Sequence, residues 1–386
     1  MPQPVYLDHA ATTPVRPEVV AAMEPFYGPR FGNPSSVHRW GREARAALDE
    51  ARERVARCLG AKPDEVCFTS GGTEADNLAI LGPLRSQRAK GRTAIVTSPI
   101  EHKAVLETVH HAARDGVTER MLGVLPNGVV DLSSVDDVVD DSVAVCTVMW
   151  VNNEIGTIQP VPEIAKAVKA RGGVMHTDAV QAFGKLAIDV KTVPVDLLTI
   201  SGHKIGAPKG VGAMFIRRGT QIDPMFHGGS QDRGRRPGTE NVAAAVALAC
   251  AAELAIAEHD AECTRLASLR DALEEGLVAR IPDAVVHGRG APRAAHILNL
   301  SVPGTDSESL LMALDLAGVA ASSGSACQSG SVTPSHVLRA MGVRPELAVA
   351  AIRMSLGALT TPECVSRVVE LFPALIAKAR RLSGVA

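Results

Sequence analysis

Two neighbouring segments decide the fold: Gly173-Val-Met-His-Thr-Asp178 and Leu197-Leu-Thr-Ile-Ser-Gly-His-Lys204. Each is a short apolar run, rich in β-branched residues, that ends in polar side chains. Segments 66–69, 94–97 and 143–149 follow the same pattern and alternate with segments of helical periodicity. This alternation predicts βαβ units and a mostly parallel sheet. Ligands of such sheets bind beyond the carboxyl ends of the strands, where these polar residues fall.

The chain has 386 residues, more than one ordinary domain needs. Its pattern changes near Glu258, where a helical stretch over 262–281 precedes a strand-like run over 296–300 and further amphipathic segments. We therefore predict an α/β fold with a large, mostly parallel sheet domain over 16–257. A smaller α+β domain is expected to combine residues 1–15 with 258–386.

Composition excludes several classes of function. The formal net charge of −2 does not favour direct contact with nucleic acid or an anionic membrane. Seven cysteines without repeated spacing argue against a disulfide scaffold and for a reducing compartment. The N-terminus lacks a basic region followed by an apolar run, and the apolar run 242–257 is shorter than the ~20 residues of a membrane span. We expect a cytoplasmic protein in which 242–257 is a buried helix.

Lys204 and Asp178 point to cofactor chemistry. A lysine at a strand end is often a solvated charge, but a shielded lysine can form a Schiff base with an aldehyde. Pyridoxal 5'-phosphate (PLP) needs such a lysine, a carboxylate for its pyridine nitrogen and donors for its phosphate. Asp178 follows the preceding strand and can supply the carboxylate. The alternative for Asp178 is a helix N-cap.

Gly72 and Thr73 lie where a strand leads into a helix, and their backbone N–H groups can bind an anion such as a phosphate. His102 lies at another strand end and either stacks on the cofactor and exchanges protons or is structural. Zinc spacing is absent, since the sequence has no Cys-x-x-Cys and the adjacent His110 and His111 cannot share a helix face. We predict no metal site.

Cys327 differs from the other six cysteines. It lies in Ser322-Ser-Gly-Ser-Ala-Cys-Gln-Ser-Gly-Ser331, where a thiol can be reached by solvent and can move. The others lie in apolar or helical contexts, where a thiol behaves as a small hydrophobe. Alone, Cys327 is either a reactive thiol or an accidental surface cysteine, because reactivity also requires thiolate character.

Taken together, these segments resemble the cysteine desulfurases of the NifS/IscS class, within the PLP enzymes of fold type I and the class V aminotransferase family. The resemblance runs nearly end to end. The shared motifs are Tyr6-Leu-Asp-His-Ala-Ala-Thr-Thr-Pro14, Gly32-Asn-Pro-Ser-Ser36, Phe68-Thr-Ser-Gly-Gly-Thr-Glu-Ala-Asp-Asn77, Glu101-His-Lys103, Val151-Asn-Asn-Glu-Ile-Gly156, His176-Thr-Asp-Ala-Val-Gln181, Ser201-Gly-His-Lys204, Arg236-Pro-Gly-Thr239, Ser322-Ser-Gly-Ser-Ala-Cys327 and Arg353-Met-Ser-Leu-Gly357.

The resemblance implies a role for each matching residue. Lys204 would form the Schiff base, Asp178 would pair with the pyridinium and His102 would stack on the ring. Gln181 would bind the phenolic oxygen of PLP. The phosphate would be held by Gly72, Thr73, Ser201 and His203, and by Thr239 of a second subunit, which implies a homodimer. Asn153 would contact cofactor and substrate, and Arg353 would clamp the substrate carboxylate.

The implied reaction converts L-cysteine into L-alanine and leaves the sulfur as a persulfide on Cys327, which a protein acceptor then receives. Alternatives are a selenocysteine lyase, another class V aminotransferase, or a scaffold without catalysis. The acceptor would belong to Fe–S cluster assembly or thiolation, or to DNA phosphorothioation, since the chain also resembles the DndA-type desulfurase. The basic clusters 233–236 and 378–381 are interpreted as solvated faces rather than nucleic-acid contacts.

Overall fold

The computed structural model describes residues 4–323 and 334–382, so Cys327 lies outside the described residues. The strands are, in chain order, β1 (Val5–Tyr6), β2 (Val66–Thr69), β3 (Ala94–Thr97), β4 (Thr118–Met121), β5 (Val143–Thr147), β6 (Val174–Asp178), β7 (Leu197–Ser201), β8 (Gly212–Ile216), β9 (Val285–Val286), β10 (Ile297–Ser301), β11 (Val319–Ala320) and β12 (Ala351–Ser355).

Helices cover the strands and fill the spaces between them. They are α1 (Pro17–Met23), α2 (Arg39–Leu59), α3 (Gly72–Arg88), α4 (Lys103–Arg114), α5 (Val135–Val138), α6 (Val161–Ala170), α7 (Val242–Ala257), α8 (His259–Arg280), α9 (Ser307–Leu316), α10 (His336–Ala340), α11 (Pro345–Ala348) and α12 (Pro362–Leu382).

The large sheet has the strand order β2-β8-β7-β6-β5-β3-β4. Strand β8 runs antiparallel to both of its neighbours, and the other pairings are parallel. The predicted α/β fold with a mostly parallel sheet is confirmed. The predicted strand over 143–149 was too long: β5 ends at Thr147, because the Met149 N–H turns away to the Glu101 carboxylate.

Helices α2 and α7 pack together over one face of this sheet. Helix α2 begins where His38 Nδ1 accepts the Gly41 N–H, and it ends at Gly60, whose φ of 72° suits glycine. Its buried residues recur at helical spacing, as Ala44, Leu48, Ala51 and Val55. Each fully buried leucine or valine stabilises the fold by roughly 1.5–3 kcal/mol relative to an exposed one.

The remaining strands form two small sheets beside the large one. Strands β12, β10 and β9 pair antiparallel, and β1 pairs with β11 in parallel. Val5 and Leu7 share an apolar cluster with Leu273, Ile352 and Phe372, so the N-terminal strand packs with the C-terminal part of the chain. The domain boundaries at 15/16 and 257/258 remain a prediction.

Helix α7 is buried over its first eight residues and at Ala251 and Ala252, as its alanine-rich sequence predicts, and its last turn is partly exposed. Across residues 4–323 and 334–382, no single helix is long and apolar enough to cross a membrane. Helices α7 and α8 meet that criterion only as a pair, which is bent by 70° at the break.

Candidate active site

A cavity of about 370 Å³ opens at the carboxyl ends of the central strands. Strands β6 and β7 deliver Asp178 and Ser201 to it, and the loop after β5 delivers Asn153. The predicted site residues that line it are Gly72, Thr73, His102, Asn153, Asp178, Gln181, Ser201, His203, Lys204 and Arg353. One edge of the sheet therefore gathers side chains from widely separated parts of the chain.

Lys204 lies at the end of a short 3₁₀ turn, Gly202–Lys204, directly after β7. Its Nζ donates to the Ala10 and Ala11 carbonyl oxygens, both at 2.7 Å. No carboxylate of the described residues pairs with it. Burial, and then the positive charge of Arg353, lower the pKa of Lys204 to about 8. The amine is thus far easier to deprotonate than a surface lysine.

Asp178 is the last residue of β6 and is 5 % exposed. Its Oδ1 accepts the Val180 N–H at 2.8 Å, and the residues that follow form turns, so the alternative of a helix N-cap is wrong. Burial raises the pKa of Asp178, and the nearby His102 and Lys204 oppose that rise. A buried carboxylate of this kind favours a cationic partner such as a protonated pyridine.

Asp76 is a second carboxyl at the cavity, 1 % exposed. Burial and the charge of Asp178 raise its pKa well above the usual range. Its Oδ1 has no hydrogen-bond partner among the described residues and lies 3.7 Å from His176 Nε2. His176 is bound by the Thr147 and Thr199 hydroxyls, and burial lowers its pKa to about 3, so it carries no charge to balance Asp76.

An anion cradle lies at the start of α3. Gly72 and Thr73 supply the first backbone N–H groups of this helix, which are free of intrahelical partners by geometry. The hydroxyls of Thr73 and Ser201 bind no other described residue, and both side chains line the cavity. A Cβ at Gly72 would lie 3.1 Å from Val180 Cγ2, so this corner is closely packed. The donors fit a phosphate group.

His102 and His203 complete the polar lining on two sides. His102 caps α4 through Nδ1, which accepts the Ala104 N–H at 3.1 Å, and its ring is exposed toward the cavity. Loss of hydration lowers the pKa of His102, which the charge of Asp178 opposes. His203 Nδ1 lies 3.2 Å from Thr12 Oγ1, and burial lowers its pKa to about 4. The His203 ring is therefore neutral near pH 7.

Arg353 and Gln181 use some of their donors in hydrogen bonds within the protein. Arg353 donates to Asp8 Oδ1 at 2.8 Å and to the Asn153 carbonyl at 2.9 Å, but its Nε has no acceptor among the described residues. Gln181 Nε2 donates to the Ala10 carbonyl at 2.8 Å and keeps one N–H free, since an amide nitrogen carries two. Each retains a donor for a ligand.

Thr239 is a predicted site residue that does not line the cavity. Thr239 is exposed and lies away from the cavity of its own chain. Cys327 falls outside the described residues. The other six cysteines are free thiols, and burial raises the pKa of Cys58, Cys67 and Cys146, which makes them poor nucleophiles.

Sequence reasoning missed several lining residues. Ala10 and Ala11 contribute only backbone oxygens, so their side chains carry no signal. Asp76 and Glu154 stand inside the quoted motifs but received no role. His336 lies close after the Cys327 segment in the chain, and a histidine at that position could have been noted. Within the described residues, no group of three or more His, Cys, Asp or Glu could hold a metal. The prediction of no metal remains untested.

Comparison with known proteins identifies the family. The Aminotransferase class-V family model matches residues 5–368. The chain is 46% identical over 383 residues to the cysteine desulfurase IscS of Dictyoglomus turgidum, covering 99% of this chain and 97% of that protein. The chain belongs to the class V aminotransferase family, among its cysteine desulfurases. This confirms the resemblance inferred from the sequence motifs.

Solved structures of similar proteins superimpose on most of this chain. A NifS-like protein superimposes with a TM-score of 0.91 at 36% identity, covering 97% of this chain and 100% of that one. DndA from Streptomyces lividans superimposes with a TM-score of 0.78 at 40% identity, covering 91% and 99%. Cysteine desulfurases are PLP-dependent, and the donor set of the cavity fits PLP. The relatives do not favour the selenocysteine lyase, aminotransferase or scaffold alternatives.

Proposed function

We propose that this cysteine desulfurase takes sulfur from L-cysteine, releases L-alanine and carries the sulfur as a persulfide on Cys327. One observation carries the proposal: a lysine that pairs with no carboxylate of residues 4–323 and 334–382 shares one cavity with a buried aspartate and an anion cradle. A solvated surface lysine would have neither its lowered pKa nor such neighbours.

PLP would be held at four points. Lys204 would bind its aldehyde carbon, Asp178 its pyridine nitrogen, and Gln181 its phenolic oxygen. Its phosphate would be bound at the start of α3 by Gly72, Thr73, Ser201 and His203. When bound, this cofactor withdraws electrons from the amino acid and so weakens the substrate C–S bond.

The chain's own residues would orient the substrate and move its protons. Each Nη atom of Arg353 carries a second hydrogen and is suited to the carboxylate of L-cysteine, and Asn153 lies beside the guanidinium. Lys204 can exchange a proton near neutral pH, because its pKa is about 8. His102 would pack its ring against the bound cofactor.

The proposed reaction needs one thiol of this chain to accept the substrate sulfur. L-cysteine and the thiol of Cys327 give L-alanine and a persulfide: the C–S bond of the substrate breaks, an S–S bond forms, and the alanine carbon gains a hydrogen. Cys327 suits this step because its neighbours in sequence are small and polar. The thiols of Cys67 and Cys146 are buried and do not line the cavity.

The reaction is tested by mixing purified protein with L-cysteine and measuring alanine and the protein mass. We expect one alanine and a mass gain of one sulfur atom per chain. Cys327→Ser should retain the visible absorbance of bound cofactor but lose the mass gain. Cys364→Ser, at a half-buried thiol near the start of α12, is the matched control and should behave as wild type. Full persulfide formation by the Cys327→Ser variant would exclude Cys327 as the carrier.

We propose a homodimer in which Thr239 reaches the phosphate of the partner's site. Thr239 is exposed, and the first part of the chain exposes large apolar side chains: Tyr27 at 70%, Phe31 at 69%, Val37 at 88% and Trp40 at 51%. Such exposure is typical of an interface. Sedimentation should give the mass of two chains, and Trp40→Glu should shift it toward one. A monomeric wild type with full activity would refute the shared site.

The acceptor is proposed to be a protein of Fe–S assembly or thiolation, or a DNA sulfur-modification protein. Similarity to IscS supports the first kind of acceptor, and similarity to DndA supports the second. Co-purification followed by transfer of ³⁵S from the labelled persulfide would decide between them. We also propose a cytoplasmic location, because seven cysteines without repeated spacing are typical of a reducing compartment.

A further inference from the structure

His296 is a buried histidine that contacts the active site from behind. It stands directly before β10 and is 3 % exposed. Its backbone carbonyl accepts the Leu356 N–H at 2.8 Å, so the pairing of β10 with β12 fixes its position. Its ring reaches Gln181, whose side chain lines the active-site cavity. None of the roles proposed for the site uses this ring.

The hydrogen bonds of Gln181 fix the orientation of its amide. One amide atom lies 2.8 Å from the Ala10 carbonyl oxygen, which can only accept, so this atom is Nε2. The other atom is therefore Oε1, and it lies 3.2 Å from His296 Nε2. Because an amide oxygen can only accept, His296 Nε2 must carry a hydrogen and donate it. The Nε2 atom of Gln181 keeps its second N–H.

The His296 ring is neutral and has one tautomer. Burial, and then the positive charge of Lys185, lower the pKa of His296 well below its usual value, so the ring carries a single hydrogen near pH 7. That hydrogen is on Nε2, which leaves a lone pair on Nδ1. The Nδ1 atom is buried and has no hydrogen-bond partner among the described residues. The one hydrogen of the ring is therefore used on Gln181.

A flipped Gln181 amide would lose both of its hydrogen bonds. Its oxygen would face the Ala10 carbonyl oxygen, and its NH₂ group would face the N–H of His296, so that each contact would join like groups. The Ala10 oxygen also accepts from Lys204 Nζ at 2.7 Å. Ala10 and His296 together therefore allow one orientation of the amide, in which Gln181 keeps an N–H for a ligand.

We propose that His296 is a positioning residue, which holds the Gln181 amide in the orientation that offers its N–H to the phenolic oxygen of PLP. This role rests on the proposed function, in which PLP occupies the cavity. A hydrogen-bond donor stabilises an ionised oxygen, so the N–H of Gln181 lowers the pH at which the bound cofactor loses its proton. Without the bond from His296, the amide can turn and this effect is lost.

The test is the pH titration of the visible absorbance of bound PLP in His296→Phe, which keeps a ring but has no donor. We expect the midpoint of the titration to rise by about 1 pH unit and PLP to bind about 10-fold more weakly, because one buried hydrogen bond is lost. His296→Gln should restore both values, since a glutamine Nε2 can donate to Gln181.

His287→Phe is the matched control. His287 is 4 % exposed and its Nε2 lies 2.7 Å from Ser301 Oγ, so the substitution removes an equally buried hydrogen bond. His287 does not line the cavity, and we expect the midpoint and the PLP affinity of this variant to equal those of wild type. An equal shift in His287→Phe, or no shift in His296→Phe, would overturn the proposal.

A double variant shows whether His296 acts through Gln181. Gln181→Leu should raise the midpoint at least as far as His296→Phe does. The combination of the two should raise it no further than Gln181→Leu alone, because residues that act through one contact are not additive. Additive shifts would contradict a positioning role.

A measurement on the cofactor-free wild type decides the case in which a variant fails to fold. Nitrogen-15 NMR should place the hydrogen of the His296 ring on Nε2 and a lone pair on Nδ1, and a hydrogen on Nδ1 would overturn the proposal. Wild type that binds PLP but releases no alanine from L-cysteine would contradict the proposed function alone, since the titration does not measure turnover. Wild type that binds no PLP would contradict both.

Discussion

A lysine–aspartate set lies at each end of the neighbouring strands β6 and β7, and the two sets differ. At the amino ends, Lys169 Nζ lies 2.6 Å from Asp196 Oδ1, and Asp196 also accepts the Met175 N–H. At the carboxyl ends, Lys204 binds only carbonyl oxygens, and Asp178 binds a backbone N–H. The same residue types form a satisfied ion pair at one end and an unsatisfied, cavity-lining pair at the other.

The difference shows how this sheet separates stability from chemistry. A direct ion pair keeps both groups charged and leaves neither available to a ligand. Holding Lys204 and Asp178 apart leaves a half-buried and a buried group with displaced pKa values, and groups of this kind often mark functional sites. Keeping these two groups unpaired lowers the free energy of unfolding of the cofactor-free protein.

The largest effect is expected from removing each lysine in turn. Lys204→Ala should abolish the visible absorbance of bound cofactor and lower alanine release by at least about 10²-fold, because the group that binds the cofactor and moves the proton is gone. Lys169→Ala should retain both, with a stability loss of at most ~1 kcal/mol, typical of a partly exposed pair. Absorbance and alanine assays on the two variants check this. Undiminished alanine release by Lys204→Ala would show that the reaction does not need Lys204.

The two aspartate substitutions should differ in the same way: one should lower the reaction rate and the other the stability. Asp178→Asn should slow the reaction about 10²-fold and weaken cofactor retention, since a neutral amide cannot balance a pyridinium. Asp196→Asn should leave the rate within twofold while lowering the free energy of unfolding by about 1 kcal/mol, because it breaks the pair with Lys169. Urea unfolding and steady-state rates measure both. Equal rate losses in the two variants would mean that both ends serve the reaction.

The smallest effect is a pH dependence of stability in the cofactor-free protein. The pKa of Lys204 is about 8 when folded and ~10.4 in an unfolded chain, so between these values the unfolded state binds more protons. Stability should therefore rise with pH across this window, relative to a Lys204→Met variant. Lys169→Met should leave the rise in place. Denaturation at about pH 7.5 and 10 tests it, and parallel slopes for wild type and Lys204→Met would show that Lys204 is not buried as described.

Local patterns were enough to predict the fold. Short β-branched runs that end in polar residues predicted β2, β3, β5, β6 and β7 to within about two residues, because a strand buried on both faces must be continuously apolar. The misplaced end of β5 has a tertiary cause, the Glu101 carboxylate, which comes from a distant part of the chain. The sequence also predicted half of the 20 lining residues. The positions of Lys204, Asp178, His102, Gly72 and Thr73 at strand ends predicted five of them, and the family resemblance supplied the other five.

By itself, the sequence determined which residue types stand at which strand ends, and through its motifs the family. Only the tertiary structure decided which of them are paired: it placed the Ala10 and Ala11 carbonyls at Lys204, Asp8 at Arg353, and Asp196 at Lys169. It also set the tautomers of His102 and His336 through their hydrogen-bond partners. The physical reason is that charge state depends on burial and on neighbours in space, and neither can be read from a residue's neighbours in sequence.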